Sequence, residues 1–228
     1  MGISFAQVLI LVCVWIISLP QTLLGQAEDP DPMRFAEEIR AFEAWDEKNA
    51  VVTSPILFVG SSSIRFWDTA VRFPELPVVN RGFGGSHISD VNHFIEATVL
   101  KYAPRMIVFY AGDNDVNAGK SKETVLADYQ EFVGLVMAQF PETDIVFLPI
   151  KPSLARWSFW SEMAAANELI RAFSSEDDRL HYVDVATPML GSDGKPRPEL
   201  LIEDGLHMTA EGYDIWSDLL ATYVSSIM

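Results

Sequence analysis

The sequence predicts one domain of class α/β, a three-layer α/β/α sandwich whose centre is a five-stranded parallel sheet. Three observations predict it. Short apolar runs of strand length alternate with stretches long enough to hold a crossover helix, which is how parallel strands have to be joined. The runs are apolar throughout, as in strands covered on both faces. Of the 228 residues, 49% are hydrophobic and 21% charged, the balance of an ordinary globular domain.

The elements follow in order. Residues 1–27 contain no Asp, Glu, Lys or Arg, and Val8–Leu19 is apolar except for Ser18. That run suits the core of a signal peptide better than a bilayer span, which needs about 20 residues. Pro20 ends it, and Gly25-Gln26-Ala27 supplies small residues before the acidic Glu28-Asp29-Pro30-Asp31-Pro32. Residues 1–27 are therefore expected to be a signal peptide, with residues 28–228 as an exported domain, secreted or periplasmic. The leader has no positively charged start, so an uncleaved membrane anchor is the alternative.

Beyond the acidic linker, Phe35, Ile39, Phe42 and Trp45 recur at helical spacing between Met33 and Trp45. Ile56–Val59 is the first strand and ends at Gly60; Pro77–Asn80 is the second. A helix is expected from Ile88 to Tyr102, and Met106–Tyr110 is the third strand. Ser121 caps a helix that reaches Phe140, where Pro141 stops it. Ile145–Ile150, a helix over Phe159–Phe173 and the strand His181–Val185 follow. Pro188–Leu201, with its glycines and prolines, reads as a long surface loop. Thr209 caps a last helix carrying Ile215, Trp216, Leu219, Leu220, Tyr223 and Val224 on one face.

Charge and cysteine content exclude several functions. Asp and Glu number 32 against 16 Lys and Arg, a net charge of −16 that repels a phosphate backbone, so no nucleic-acid partner is expected. The single cysteine, Cys13, lies in the leader, so no intramolecular disulfide, zinc finger or cysteine nucleophile can be built.

In a parallel sheet, ligands bind beyond the carboxyl ends of the strands. The turn after the first strand reads Gly60-Ser61-Ser62-Ser63, which presents a hydroxyl near a helix start; helix capping is its bland reading. After the second strand stands Gly82-Phe83-Gly84-Gly85-Ser86, where backbone N–H groups can approach an oxyanion or simply make a turn. It does not reproduce the G-x-G-x-x-G dinucleotide pattern. After the third comes Gly112-Asp113-Asn114-Asp115, in which Asn114 offers a fixed amide donor. Near the carboxyl end, Asp204-Gly205-Leu206-His207 places an acid and a base three positions apart, so one turn can set the carboxylate against an imidazole nitrogen. Asp113, Asp115, Asp204 and His207 are also metal-ligand types, but no H-x-x-x-H, D-x-H or second histidine pair accompanies them, and no metal is expected.

The order Ser, Gly, Asn, then Asp-x-x-His resembles the SGNH hydrolases, also called GDSL-type esterases and lipases, from Ile56 to Tyr213. The resemblance implies a flavodoxin-like fold. It also implies Ser62 as nucleophile, Gly85 and Asn114 as oxyanion donors, His207 as base, Asp204 as its acid partner, and no cofactor. Two departures stand out: Ser61 replaces the usual Asp of Gly-Asp-Ser, and Ser86 replaces an Asp that often follows the glycine. Gly-x-Ser spacing selects Ser62 from the three serines. The expected function is an exported serine esterase acting on a small-molecule or glycan ester, with contact to a membrane only through an uncleaved leader. Acyl transfer to a sugar hydroxyl and idle carbohydrate or lipid binding are the alternatives. Lys151, Arg156, Trp157 and Trp160, after the fourth strand, form a candidate substrate rim; for the two tryptophans, anchoring the next helix is the competing reading.

Overall fold

The computed structural model describes residues 29–50 and 52–227, so the expected leader and its cleavage point lie outside the described residues. The elements are α1 (Ala36–Asp46), β1 (Ile56–Gly60), α2 (Ser62–Arg65), α3 (Thr69–Arg72), β2 (Val78–Gly82), α4 (Ile88–His93), α5 (Ile95–Thr98) and β3 (Met106–Tyr110). They continue with α6 (Asp113–Asn117), α7 (Lys122–Gln139), β4 (Asp144–Phe147), α8 (Trp160–Ser174), β5 (Leu180–Tyr182) and α9 (Ala210–Ile227). The strands form one parallel sheet in the order β2-β1-β3-β4-β5. This is the expected five-stranded sandwich. The chain goes outward from β1 to β2 and then crosses back to β3, so the order reverses between β1 and β3, the switch point at whose carboxyl edge open α/β sheets bind ligands.

Successive strand side chains point to opposite faces, and each face feeds its own core. Leu57, Val59, Ile107, Phe109, Ile145 and Phe147 pack against residues of α1, α4, α5, α7 and α8. Ile56, Phe58, Met106, Val108, Tyr110, Val146 and Leu148 meet α2 and α9, with Trp67 and Trp216 buried between them. The last helix buries Tyr213, Trp216, Leu220 and Val224, and Thr209 Oγ1 accepts from the Gly212 N–H at its start, 3.3 Å away.

Four segments differ from the sequence expectation, one of them β5, which covers Leu180–Tyr182 rather than His181–Val185. The helix expected over Ile88–Tyr102 breaks into α4, α5 and a 3-10 turn at Leu100–Tyr102. At the break, the Asn92 amide donates to the Asp128 carbonyl of α7 at 2.9 Å, and Thr98 donates its hydroxyl back to the Phe94 carbonyl at 2.9 Å. The first bond ties α4 to α7, and a threonine hydroxyl returned to the carbonyl four residues back bends a helix. Pro149 shortens β4, since it has no N–H to give the sheet. Pro188–Leu201 is no mere surface loop, because Met189 and Leu200 are 1% and 0% exposed and belong to the core under α9.

The loop after β4 is held by one buried side chain. Asn167 of α8 accepts from the Ile150 N–H at 2.8 Å and donates to the Ile150 carbonyl at 2.9 Å, replacing the sheet partners that the strand end lacks. Asn167→Ala leaves both backbone groups without this partner, and the expected loss is about 2–4 kcal/mol in urea denaturation. A loss below about 0.5 kcal/mol would contradict this role.

Candidate active site

The site begins at the end of β1. Gly60 has φ 134°, and a Cβ there would lie 1.9 Å from the Tyr110 carbonyl oxygen, so only glycine permits this turn. The same carbonyl accepts the Ser61 N–H at 2.9 Å, and α2 starts at the next residue. Ser61 and Ser63 are 0% and 1% exposed, whereas Ser62 is half-buried. Ser62 therefore sits in the first turn of a helix, whose leading N–H groups have no intrahelical partner.

His207 reaches Ser62 from the far end of the chain. Its Nε2 lies 2.9 Å from Ser62 Oγ, and its Nδ1 lies 2.6 Å from Asp204 Oδ2. The turn is self-braced, with Asp204 Oδ1 accepting the Leu206 N–H at 2.8 Å and the His207 N–H at 2.9 Å. Burial pushes the Asp204 carboxyl up, but the His207 bond and these two N–H groups outweigh it and hold the pKa at about 2. An ionised Asp204 keeps the proton of a neutral imidazole on Nδ1, which leaves Nε2 as acceptor for the Ser62 hydroxyl. The Phe66 ring stands edge-on to His207 with centroids 5.1 Å apart.

Hydrogen-bond donors gather from two other turns. Gly85 lies at φ 82°, and a Cβ built there would meet nothing within 4 Å, so its backbone borders open space. Asn114, at the start of α6, donates Nδ2 to the Ser86 carbonyl at 3.0 Å, which joins the turns after β2 and β3. Buried Asp115 joins them a second time by accepting the Ile88 N–H at 3.1 Å, with Lys120 Nζ also 3.1 Å from its carboxylate.

The expected rim is placed differently. Lys151 is 1% exposed and burial pushes its ammonium down, so it does not reach a substrate-facing rim. Arg156 is turned inward, donating to Asp113 Oδ2 and Asn114 Oδ1, each at 2.8 Å. The Trp157 and Trp160 rings stack at 5.9 Å and are half-buried, Trp160 against the core, which fits the helix-anchoring reading. The four residues weighed as metal ligands separate: Asp113 faces Arg156, Asp115 faces Lys120, and Asp204 faces His207. Among the described residues no group of three or more His, Cys, Asp or Glu side chains gathers as a metal site. Sequence reasoning did not single out Phe66 as a neighbour of His207. Its position four residues past Ser62, one helical turn on, is the signal that would have found it.

A hydroxyl, an imidazole and a carboxylate in series at a helix start have the parts needed for nucleophilic attack on a carbonyl. The chain resembles known proteins in sequence and in fold. Residues 65–215 match the model of the GDSL-like Lipase/Acylhydrolase family, a span that begins after Ser62 and includes His207. The chain is 27% identical over 164 residues to the platelet-activating factor acetylhydrolase IB subunit alpha1 of Homo sapiens, covering 69% of this chain and 70% of that one. A putative platelet activating factor from Streptococcus pneumonia superposes with TM-score 0.75 at 22% identity, over 84% of this chain and 94% of that one. A GDSL-like lipase from Bacteroides thetaiotaomicron gives 0.71 at 20% identity, over 87% and 98%.

The Asp204 carboxyl should titrate near pH 2 in the folded protein, below its ordinary value of 3.8. A depressed carboxylate contributes stability that is fully present above the ordinary value and is lost as pH falls through the folded one. Side-chain carboxyl NMR in wild type and His207→Ala checks this. The pKa should rise when the imidazole is removed, and an unchanged value would contradict the pairing.

Proposed function

The chain belongs to the GDSL-like lipase/acylhydrolase family, and from that premise we propose that it is an exported serine esterase working through a Ser62 acyl-enzyme. The observation that carries the reading is the unbroken series Asp204 Oδ2, His207 Nδ1, His207 Nε2, Ser62 Oγ, with spacings of 2.6 and 2.9 Å. His207 takes the Ser62 proton as Oγ attacks the ester carbonyl, and Asp204 stabilises the imidazolium that forms. The Ser62 and Gly85 N–H groups and Asn114 Nδ2 receive the oxyanion. The alkoxide leaves with the proton from His207, and water, deprotonated by the same imidazole, releases the acid and restores Ser62.

The substrate is a carboxylic ester with a short acyl group. Support comes from the 27% identical relative, which is by name an acetylhydrolase. The uncharged leader, residues 1–27, supports export.

The test is a panel of acetylated sugars, lysophospholipids and aryl esters of increasing acyl length, assayed with wild type and Ser62→Ala. Turnover is expected to be highest on short acyl chains and to fall by at least about 10⁴-fold in Ser62→Ala. Activity retained by Ser62→Ala would overturn the nucleophile. Release of acid blocked by an acceptor sugar, with the acyl group found on the sugar, would turn the reading to acyl transfer.

A further inference from the structure

Asn114 poses a problem that its backbone position does not solve. A carboxamide has two nearly isosteric ends, one accepting and one donating, and only the NH₂ end can serve an oxyanion. Which end faces the oxyanion position depends on the groups around it, and three of them are visible. The Ser86 carbonyl takes one Nδ2 hydrogen at 3.0 Å. The Arg156 guanidinium donates one arm to Asn114 Oδ1 at 2.8 Å and the other to Asp113 Oδ2 at 2.8 Å. Asp113 returns to the same residue, accepting the Asn114 N–H on Oδ1 at 3.1 Å.

We infer that Arg156 is the positioning residue of this site, a fork that locks the Asn114 carboxamide with its second Nδ2 hydrogen turned toward the oxyanion position. A flipped amide would set NH₂ against the guanidinium, donor to donor, and the oxygen against the Ser86 carbonyl, acceptor to acceptor. Both contacts are repulsive, so the fork excludes the inactive orientation. The two arms have separate tasks. One holds the amide, while the other neutralises Asp113, whose side chain is 5% exposed, and through it the backbone that begins α6. The Arg156 side chain is itself 13% exposed, so water competes weakly for these bonds. The planar fork meets two acceptors at once, which a lysine point charge cannot do.

The loop that carries Arg156 is placed to do this. Asn167 clamps its start at Ile150, and the Ala155 N–H donates to the Gly205 carbonyl at 3.0 Å. Residues 150–156 thus link the Asp204–His207 turn on one side to Asn114 on the other.

The inference rests on the esterase reading, and its test separates the two. Arg156→Ala, Asn114→Ala and the double variant are assayed on the best ester of the panel. Arg156→Ala should lower kcat about 10- to 10²-fold, less than the about 10²- to 10³-fold expected for losing the donor itself, with KM within about threefold. In the Asn114→Ala background the same change should cost less than about twofold. Millimolar guanidinium should restore part of the turnover of Arg156→Ala and none of the double variant. Equal losses in both backgrounds, or a loss confined to KM, would overturn the inference and leave the esterase reading standing.

Two further arms keep it falsifiable. Arg156→Lys retains the charge beside Asp113 and keeps the protein folded if the alanine variant does not fold; its kcat should fall short of wild type, with the same dependence on Asn114. Independently of any activity, the two ¹H–¹⁵N NMR signals of the Asn114 side-chain amide should lie away from free-carboxamide shifts and exchange slowly with solvent in wild type, and should move toward those shifts and exchange faster in either Arg156 variant. Unchanged signals would overturn the inference even if no ester in the panel were hydrolysed, an outcome that would itself count against the esterase reading alone.

Discussion

The site depends on the register of three parallel strands. Gly60 pairs with Gly82 on one side and with Tyr110 on the other, so β1, β2 and β3 end at the same level. The turns that follow, which carry Ser62, Gly85 and Asn114, therefore leave the sheet at one edge, and the Asn114 bond to the Ser86 carbonyl ties two of them together. A slip of one residue in β1 would flip its side chains to the other face and carry Ser62 away from its partners. The two cores prevent that slip. Ile56 and Phe58 are committed to the α9 side and Leu57 and Val59 to the other, all at 1% exposure or less.

The second half of the site is brought in by packing rather than by the sheet. The helix α9 lies across the lower face with Trp216 fully buried, and Tyr213 donates its hydroxyl to the Ser63 carbonyl at 2.9 Å. That bond links the helix following His207 to the turn holding Ser62. The relay thus joins elements 145 residues apart through a core that was already needed for stability. Charge follows a similar economy. Arg81, Lys120 and Lys151 are buried to 5% exposure or less, with Lys120 facing Asp29, Asp115 and Asp128. These cations are withdrawn from the surface of a chain of net charge −16.

Much of this was legible in the sequence because the signals are local. Uniformly apolar runs gave the strands, Gly60 gave the sharp turn, and the three-residue spacing of Asp204 and His207 put acid and base in one turn. The Gly-x-Ser register of the family that the chain resembles separated Ser62 from Ser61 and Ser63, and the structure brings Ser62 and neither neighbour to His207. What was not legible depends on partners distant in sequence. Lys151 and Arg156 look like surface cations when read along the chain, yet one is buried and the other crosses to Asp113 and Asn114, more than 40 residues away. The break in the helix over Ile88–Tyr102 is equally tertiary in origin, since Asn92 turns toward α7. The leader expected over residues 1–27 lies outside the described residues, so its reading stays with the sequence.

The claim at the centre of this account is that one hydroxyl of three consecutive serines is activated by His207. The most direct measurement is peptide mapping by mass spectrometry after reaction with a fluorophosphonate, in wild type and His207→Ala. The account predicts a single phosphonyl adduct on Ser62, formed at least about 10²-fold more slowly without the imidazole. An adduct on Ser61 or Ser63, or labelling of Ser62 at the same rate in His207→Ala, would contradict it.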